Sequence, residues 1–338
     1  MRHMQKRRVG VIGAGWVSAY HLPAWQKRSA QAEIVAIADP SAGAAQARAG
    51  AFNIPATYTD AATMLAHENL DIVDICAPRE AHADLVRLAA QAGVAIICQK
   101  PLATDFTSAA ALVADVANTT LMVHENWRFR AWYRRLRDWL DAGVAGDIRQ
   151  VSLEFLSSGM IAGPDGQRPA LVRQPFFRTQ QRLLVMEVLI HHLDTLRFLL
   201  GEMDVVAARL ERSNAGIVAE DIAAITLRRR SDGVLIQVTG NLAVHGAPPA
   251  PRDHLRIFGT RGTIELDGVS LTATSQPDQH FDADAVYQGS YDAAIAHFLD
   301  CLDAKKPFET SPQDNLETLR LVEAIYALAQ FDPAQEPR

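Results

Sequence analysis

The chain reads as two domains: an N-terminal α/β domain built on a doubly wound parallel sheet, then a C-terminal α+β domain with a large, mainly antiparallel open sheet. Three observations carry this reading. The 338 residues exceed what a single hydrophobic core usually organises. Up to residue 124, short apolar strand patterns alternate with helical patterns of about ten residues, the signature of right-handed βαβ crossovers and a parallel sheet. From residue 148 onward that alternation stops, and runs of period two follow one another across turns such as Asp232-Gly233, as antiparallel strands do. The domains are accordingly drawn at 1–124 and 125–338.

In the first domain, strands at 8–12, 32–38, 72–76 and 95–98 are each followed by a helix, at 18–28, 42–50, 82–92 and 107–117, and a strand at 121–124 closes the series. Ligands of such sheets sit beyond the carboxyl ends of the strands. Strand 8–12 ends there on Gly13-Ala14-Gly15-Trp16-Val17-Ser18, the dinucleotide fingerprint Gly-x-Gly-x-x-Gly/Ala with serine in the third small position. Gly13 makes the tight turn, Gly15 removes a side chain that would block a pyrophosphate, and the following helix N-terminus aims backbone N–H groups at the anion. Asp39 ends the second strand at roughly the 20-residue spacing expected of a ribose-binding acid. Its carboxylate suits ribose hydroxyls and repels a 2′-phosphate, so NAD is expected as cofactor rather than NADP. Its structural alternative is to cap the turn Asp39-Pro40-Ser41 into the next helix. This is the pattern of a Rossmann domain.

Cofactor contacts are expected from Gly13, Ala14, Gly15, Trp16, Val17 and Asp39, and along the remaining strand ends from Ala77, Pro78, His82, Gln99, Lys100 and Asn126. His82, at the entry of a helix, has capping or packing as its alternative and is given no chemistry. Lys100 closes the run Val94-Ala-Ile-Ile-Cys-Gln-Lys100 and precedes Pro101. Proline disfavours the α region for the residue before it, so the amine is held extended at the strand's exit. The Lys-Pro bond is also of the kind that can be cis. The bland alternative is a solvated loop lysine.

Composition narrows the function classes. A net charge of -6 argues against nucleic acid as the main partner, because phosphate binding needs a basic surface. No apolar run approaches the ~20 residues that span a bilayer. Met1-Arg-His-Met-Gln-Lys-Arg-Arg8 imitates the basic start of an export signal, but the apolar stretch 9–17 carries Gly10, Gly13 and Gly15, and no small-residue cleavage site follows. Cys76, Cys98 and Cys301 lack paired metal-ligand spacing, so each reads as a buried small side chain in a reduced, cytoplasmic compartment.

The second domain shows strands at 151–157, 205–212, 222–229, 234–242, 255–259 and 263–266, and a closing helix at about 315–329 whose apolar stripe is expected to pack back on the first domain. Within it lies Met186-Glu-Val-Leu-Ile-His-His-Leu-Asp-Thr-Leu-Arg-Phe-Leu-Leu200. Wound as an α-helix, this places Glu187, His191 and Asp194 along one face. An imidazole oriented by an acid suits removal of a hydroxyl proton. His192 points about a hundred degrees away and reads as a packed or exposed neighbour. The alternatives for His191 are a satisfied structural histidine or a zinc pair with Glu187. No third ligand has a supporting spacing, so no metal is expected. Trp127 offers a flat face to a sugar ring or the nicotinamide, and Arg128 can bind sugar oxygens or cofactor phosphate. Ordinary packing at a hinge is the alternative for both. The long loop 157–182 can close over substrate, with Arg168, Arg173, Arg178 and Arg182 as candidate contacts. Arg228-Arg229-Arg230 reads as a solvated face.

The fingerprint, Cys76-Ala77-Pro78, Cys98-Gln99-Lys100-Pro101 and Val123-His124-Glu125-Asn126 occur in one order and spacing. On these motifs the chain resembles the glucose-fructose oxidoreductase/inositol dehydrogenase/MocA family from Arg8 to about Gln330. The resemblance implies nicotinamide-dependent oxidation of a sugar or polyol hydroxyl, or the reverse reduction, with Lys100 in the site. Glu187 and His191 fall on the family's acid-x-x-x-His pattern, with glutamate where aspartate is usual, and Gln99 stands where members typically have glutamate. A homodimer or homotetramer formed through the C-terminal sheet is implied in the same way. The segments Cys98-Gln-Lys-Pro101, His124-Glu-Asn-Trp-Arg-Phe-Arg130, Pro307-Phe-Glu-Thr310 and Pro312-Gln-Asp-Asn-Leu316 look like the branch containing D-apiose dehydrogenases, which implies an aldose oxidised at C1 to a lactone. Whether Lys100 or His191 is the formal base stays open. So do three alternatives: an inositol or other polyol dehydrogenase, a reductase of C=C or C=N bonds, and a non-catalytic NAD- and sugar-binding sensor.

Overall fold

A computed structural model describes residues 6–334. Residues 1–5, with much of the basic start, lie outside the described residues, as do 335–338. The chain divides into two compact units, one of residues 6–129 and 287–319, the other of 130–286 and 320–334.

The first unit alternates β1 (Arg7–Ile12), α1 (Ser18–Gln26), β2 (Ala32–Ala38), α2 (Ala42–Phe52), β3 (Ala56–Tyr58), α3 (Ala61–His67), β4 (Ile72–Ile75), α4 (Arg79–Gln91), β5 (Ala95–Gln99), α5 (Phe106–Asp115) and β6 (Leu121–His124). Its strands are all parallel, in the order β3-β2-β1-β4-β5-β6. The winding therefore reverses between β1 and β4, and a sheet of this type opens a crevice for ligands at that point. Period two sorts neighbouring side chains to opposite faces. Val9, Val11 and Ile97 pack on one side with Leu22, Trp25 and Phe298; Ile12, Ile96 and Val123 pack on the other with Met64, Val86 and Leu112. Side-chain oxygens of Ser41, Asp60 and Asp105 accept N–H bonds at the starts of α2, α3 and α5, the usual way of satisfying orphan donors. The pair β3 and α3 was not expected from the sequence: three strand residues are too few to show a period.

The second unit holds α6 (Ala131–Asp141), β7 (Ile148–Leu156), α7 (Pro169–Arg173), a π-helical turn (Leu184–Leu189), α8 (Ile190–Leu200), β8 (Met203–Glu211), β9 (Ile222–Arg229), β10 (Leu235–Asn241), β11 (Arg252–Gly259), β12 (Thr263–Asp267), β13 (Ser270–Ala273) and β14 (Gln276–His280). Two long helices, α9 (Ala283–Ala304) and α10 (Pro312–Ala329), close the chain. The sheet order is β14-β13-β12-β11-β7-β10-β9-β8. Its pairs are antiparallel except β7 with β10, where Val151 lies opposite Ile236 in parallel register. Ile236, Val238 and Gly240 are buried while Leu235, Gln237 and Thr239 are exposed, so one face of the sheet is core and the other is open. No helix among the described residues is long and apolar enough to cross a membrane.

One buried cluster ties this unit's layers together. Asp253 on β11 receives His192 Nε2 of α8 at 2.8 Å and the Tyr133 hydroxyl of α6 at 2.5 Å, with Arg130 Nη1 at 3.6 Å. His192 is fully buried against Phe155, which settles it as a packed neighbour. Burial pushes the Asp253 carboxyl up, but His192, Arg130 and the Tyr133 hydroxyl outweigh it and hold the group at about 2.

A carboxylate depressed below its ordinary value near ~3.9 adds stability that is complete above that value and is lost as pH falls through its folded pKa. Asp253→Asn is therefore expected to lower stability at neutral pH by about 3–5 kcal/mol. It should also flatten the loss of stability between pH ~4 and pH ~2, measured by denaturant unfolding across the acid range. An unchanged acid limb in the variant would refute the role.

Candidate cofactor and active site

β1 delivers Gly13 at φ 105°, the left-handed side that favours glycine. A Cβ there would lie 2.7 Å from the carbonyl carbon and oxygen of Cys76, just past the end of β4. Gly15 is the reverse case: a Cβ would meet nothing within 4 Å, leaving open space where a pyrophosphate needs close backbone approach. Ser18, in the third small position, is buried and donates its hydroxyl to the Gly15 carbonyl at 2.7 Å. Its departure from glycine or alanine thus adds a bond that holds the loop. Asp39 accepts the Ala14 N–H on Oδ2 and the Ser41 N–H on Oδ1, both at 2.8 Å. The capping alternative and a carboxylate set beside the loop are therefore both true. Ala14 is buried, Val17 half-buried, and Trp16 stands 56% exposed beside Tyr20 and Tyr287.

Arg48 on α2 donates to the Gly15 carbonyl at 3.0 Å and reaches the Ala14 carbonyl at 3.4 Å. Sequence reading did not single it out, since an arginine within an alanine-rich helix carries no motif. It brings a positive charge onto the loop that would hold the phosphates. These residues fit a dinucleotide: the open cradle at Gly15, the crowded turn at Gly13, the carboxylate of Asp39 and the cation of Arg48.

Two strands from β1, β5 ends on Gln99 and leads to Lys100, half-buried, with a cis bond to Pro101. His82, at the start of α4, joins the two neighbouring strand exits, with Nδ1 at 2.7 Å from the Pro101 carbonyl and Nε2 at 2.8 Å from the Ala77 carbonyl. Burial holds its imidazole below the usual range, against the pull of both carbonyls. Pro78 is the exposed N-cap of that helix. Asn126 is buried, and its amide donates to Ser290 at 2.7 Å. Behind β4 and β5 lies a polar cluster that sequence reading missed: His21 and Trp25 of α1, Asp74 of β4, Gln99 and His124. The available signal was Asp74, an acid inside the apolar strand Ile72-Val-Asp-Ile75.

Trp127 is half-buried and opens a short 3₁₀ turn. Arg128 is buried, donating to the Glu309 carbonyl at 3.0 Å and to Asp314 at 2.7 Å. Of its two expected roles, packing is the one these bonds support.

In the second unit the helix expected over Glu187 to Asp194 begins differently. Residues Leu184–Leu189 form a π-turn, and α-winding starts only at Ile190. The one-face spacing of Glu187 with His191 that α geometry predicts is therefore altered at its first member, because a π-turn widens the ladder by one residue. Such turns are frequent at functional sites. Glu187 is half-buried, and His191 and Asp194 are buried. The start of this turn is held by Glu220, fully buried, whose carboxylate accepts the N–H groups of Leu183 and Val185 and the hydroxyl of Tyr326. Burial pushes that carboxyl above its ordinary range, and it raises the Tyr326 hydroxyl well above its own. In the loop 157–182, Arg173 and Arg178 are exposed and Arg168 is half-buried, while Arg182 pairs with Glu323 and lies over the Tyr326 ring.

A parallel sheet with its winding reversed beside a glycine loop and an acid at the second strand's end defines a dinucleotide-binding Rossmann protein. The comparisons with known proteins make this specific. Residues 7–127 match the oxidoreductase family with NAD-binding Rossmann fold, and residues 133–265 match the GFO/IDH/MocA C-terminal domain. D-apiose dehydrogenase of Paraburkholderia graminis is 36% identical over 338 residues, covering 95% of this chain and 87% of its own. D-apiose dehydrogenase of Rhizobium rhizogenes is 31% identical, covering 97% of this chain and 96% of its own. An oxidoreductase from Agrobacterium radiobacter, solved in complex with NAD+, L-tartaric acid and magnesium, superposes with a TM-score of 0.87 at 31% identity over 96% of this chain and 97% of that one. The chain belongs to the GFO/IDH/MocA oxidoreductase family and is an NAD-dependent dehydrogenase.

Gly13→Ala is expected to abolish NAD binding, because the added methyl meets the Cys76 backbone. Arg48→Ala should weaken NAD binding about 10-fold, the scale of a lost charge-assisted bond, as read by fluorescence titration. Wild-type affinity in the Arg48 variant would remove it from the cofactor site.

Proposed function

We propose that the chain oxidises an aldose at C1, with a branched pentose such as D-apiose as the best-matching substrate. In this reaction the C1–H bond of the cyclic sugar breaks as a hydride leaves, the C1 hydroxyl loses its proton, and a C=O bond forms to give the lactone. Bound NAD supplies the hydride acceptor. The protein's task is to place the hydroxyl and take its proton. The observation that carries the reading is the place of Lys100, at the carboxyl edge of a parallel sheet whose first strand ends in the glycine loop. The names of the relatives support the sugar class.

Lys100 hydrogen-bonds and polarises the reacting hydroxyl. The proton passes to Lys100 or to His191, with Glu187 or Asp194 orienting the imidazole. Trp127 and Arg178 are the remaining candidate contacts with the sugar. We also assign the chain to the cytoplasm, consistent with three buried cysteines that form no disulfide. Its open sheet face, with the exposed Leu235 on β10 and Val206 on β8, is assigned to pairing in a homodimer or homotetramer.

The test follows NADH formation with D-apiose, other pentoses, hexoses and inositols as substrates. An aldose is expected to turn over fastest; turnover confined to inositols would overturn the substrate assignment, and none with any polyol would overturn the activity. Lys100→Ala and His191→Ala should each abolish turnover while NAD affinity stays near wild type. Full activity in both would remove them from the chemistry.

A further inference from the structure

The orientation of each group in the polar cluster of the first unit follows from one fixed donor. Indole N–H groups donate and never accept. Trp25 Nε1 lies 2.7 Å from Asp74 Oδ2, so that oxygen is an acceptor. His21 Nδ1 meets the same oxygen at 2.8 Å and must donate to it as well. A neutral His21 then presents Nε2 as a lone pair, and Gln99 Nε2 stands 2.7 Å away to donate. The same amide nitrogen lies 3.1 Å from His124 Nδ1, so its second hydrogen goes there and His124 carries its own proton on Nε2. His21, Asp74 and His124 are fully buried and Gln99 is 7% exposed. The Tyr291 ring flanks both imidazoles, at 5.3 and 5.2 Å between centroids. Cys76 completes the cluster, with its thiol 3.6 Å from Asp74 Oδ1.

We propose that Gln99 is a positioning residue for Lys100. Its amide donates both N–H groups, one to each of two neutral imidazoles of opposite tautomer, and so pins the last residue of β5 to α1 on one side and to β6 on the other. Lys100 follows directly in the chain and takes its direction from that anchor. A carboxylate at this position could accept but not donate, so both imidazoles would have to turn donor. His21, whose Nδ1–H is already held by Asp74, would then carry protons on both nitrogens. The neutral amide serves both imidazoles at once, with the Asp74 carboxylate as the acceptor at the far side of His21. The functional half of the proposal rests on reading Lys100 as the residue that handles the substrate hydroxyl.

The test is two-bond ¹H–¹⁵N correlation on histidine-labelled protein, with signals assigned from single histidine replacements. In the wild type, His21 is expected as the neutral Nδ1–H tautomer and His124 as the neutral Nε2–H tautomer. A doubly protonated His21 beside an Nδ1–H His124 would mean that the amide is reversed; that pattern, or two rings of the same tautomer, would overturn the hydrogen-bond assignment without any reference to activity. Gln99→Glu should move the His21 signals to the doubly protonated pattern. Gln99→Met, which keeps length but cannot donate, should lower kcat about 10- to 100-fold, the cost of a misplaced reacting group, with the KM for the sugar changed far less. Wild-type kcat in a folded Gln99→Met would overturn positioning. If Lys100→Ala itself retained full turnover, the reading of Lys100 would fail and the functional half with it, while the tautomers would still decide the network.

Discussion

A carboxylate buried in the middle of a parallel sheet sets the terms for the first unit. Asp74 sits on β4 with no exposed surface, and a buried charge without hydrogen bonds would cost several kcal/mol. Its satisfaction is drawn from α1, the helix that begins at the glycine loop, through His21 and Trp25. The element that must face the pyrophosphate is thus tied to the strand on which Gly13 leans, and through Gln99 and His124 to β5 and β6. One unfavourable burial becomes a reason for the strand ends to keep a fixed relation to one another.

The second unit uses the same device twice. Asp253 draws in His192, Tyr133 and Arg130, which fixes the rotation of α8 and hence the side of the helix on which His191 emerges. Glu220 takes the free N–H groups at the start of the π-turn and the hydroxyl of Tyr326. A π-turn is a strained way to wind a chain, and it persists where surrounding bonds define it. Here the defining bonds come from a buried acid on the segment just before β9.

Much of the fold was legible because both domains obey strong periods: buried parallel strands read as apolar runs, and half-buried antiparallel strands alternate. What escaped has physical reasons. β3 is too short to show a period, and α9 is built largely from alanine, tyrosine and small polar residues, with a serine, Ser290, fully buried on it. The positions of the glycine loop, Asp39 and Lys100 at the strand ends could be read because a turn, an acid at fixed distance and a lysine before proline each leave a local mark. Arg48, Glu220 and His21 left none, since each acts on a segment far away in the chain. Arg128 shows the opposite case: a cation placed suggestively in the sequence, with bonds to Glu309 and Asp314 that no local pattern announced.

The single parallel pairing of the second sheet among the described residues, β7 with β10, bears on how the molecule comes into being. Val151 cannot meet Ile236 until the whole intervening stretch, including α8 and the hairpin of β8 and β9, has left the ribosome. Pairings between distant segments are slow, because the chain must close a long loop before the contact repays it. The helix that carries His191 lies inside that loop. Its surroundings are complete only after β10 and Asp253 of β11 have followed it, and a chain interrupted before residue 235 would leave the apolar face of β7 and the buried side of α8 uncovered, the kind of surface on which incomplete chains associate.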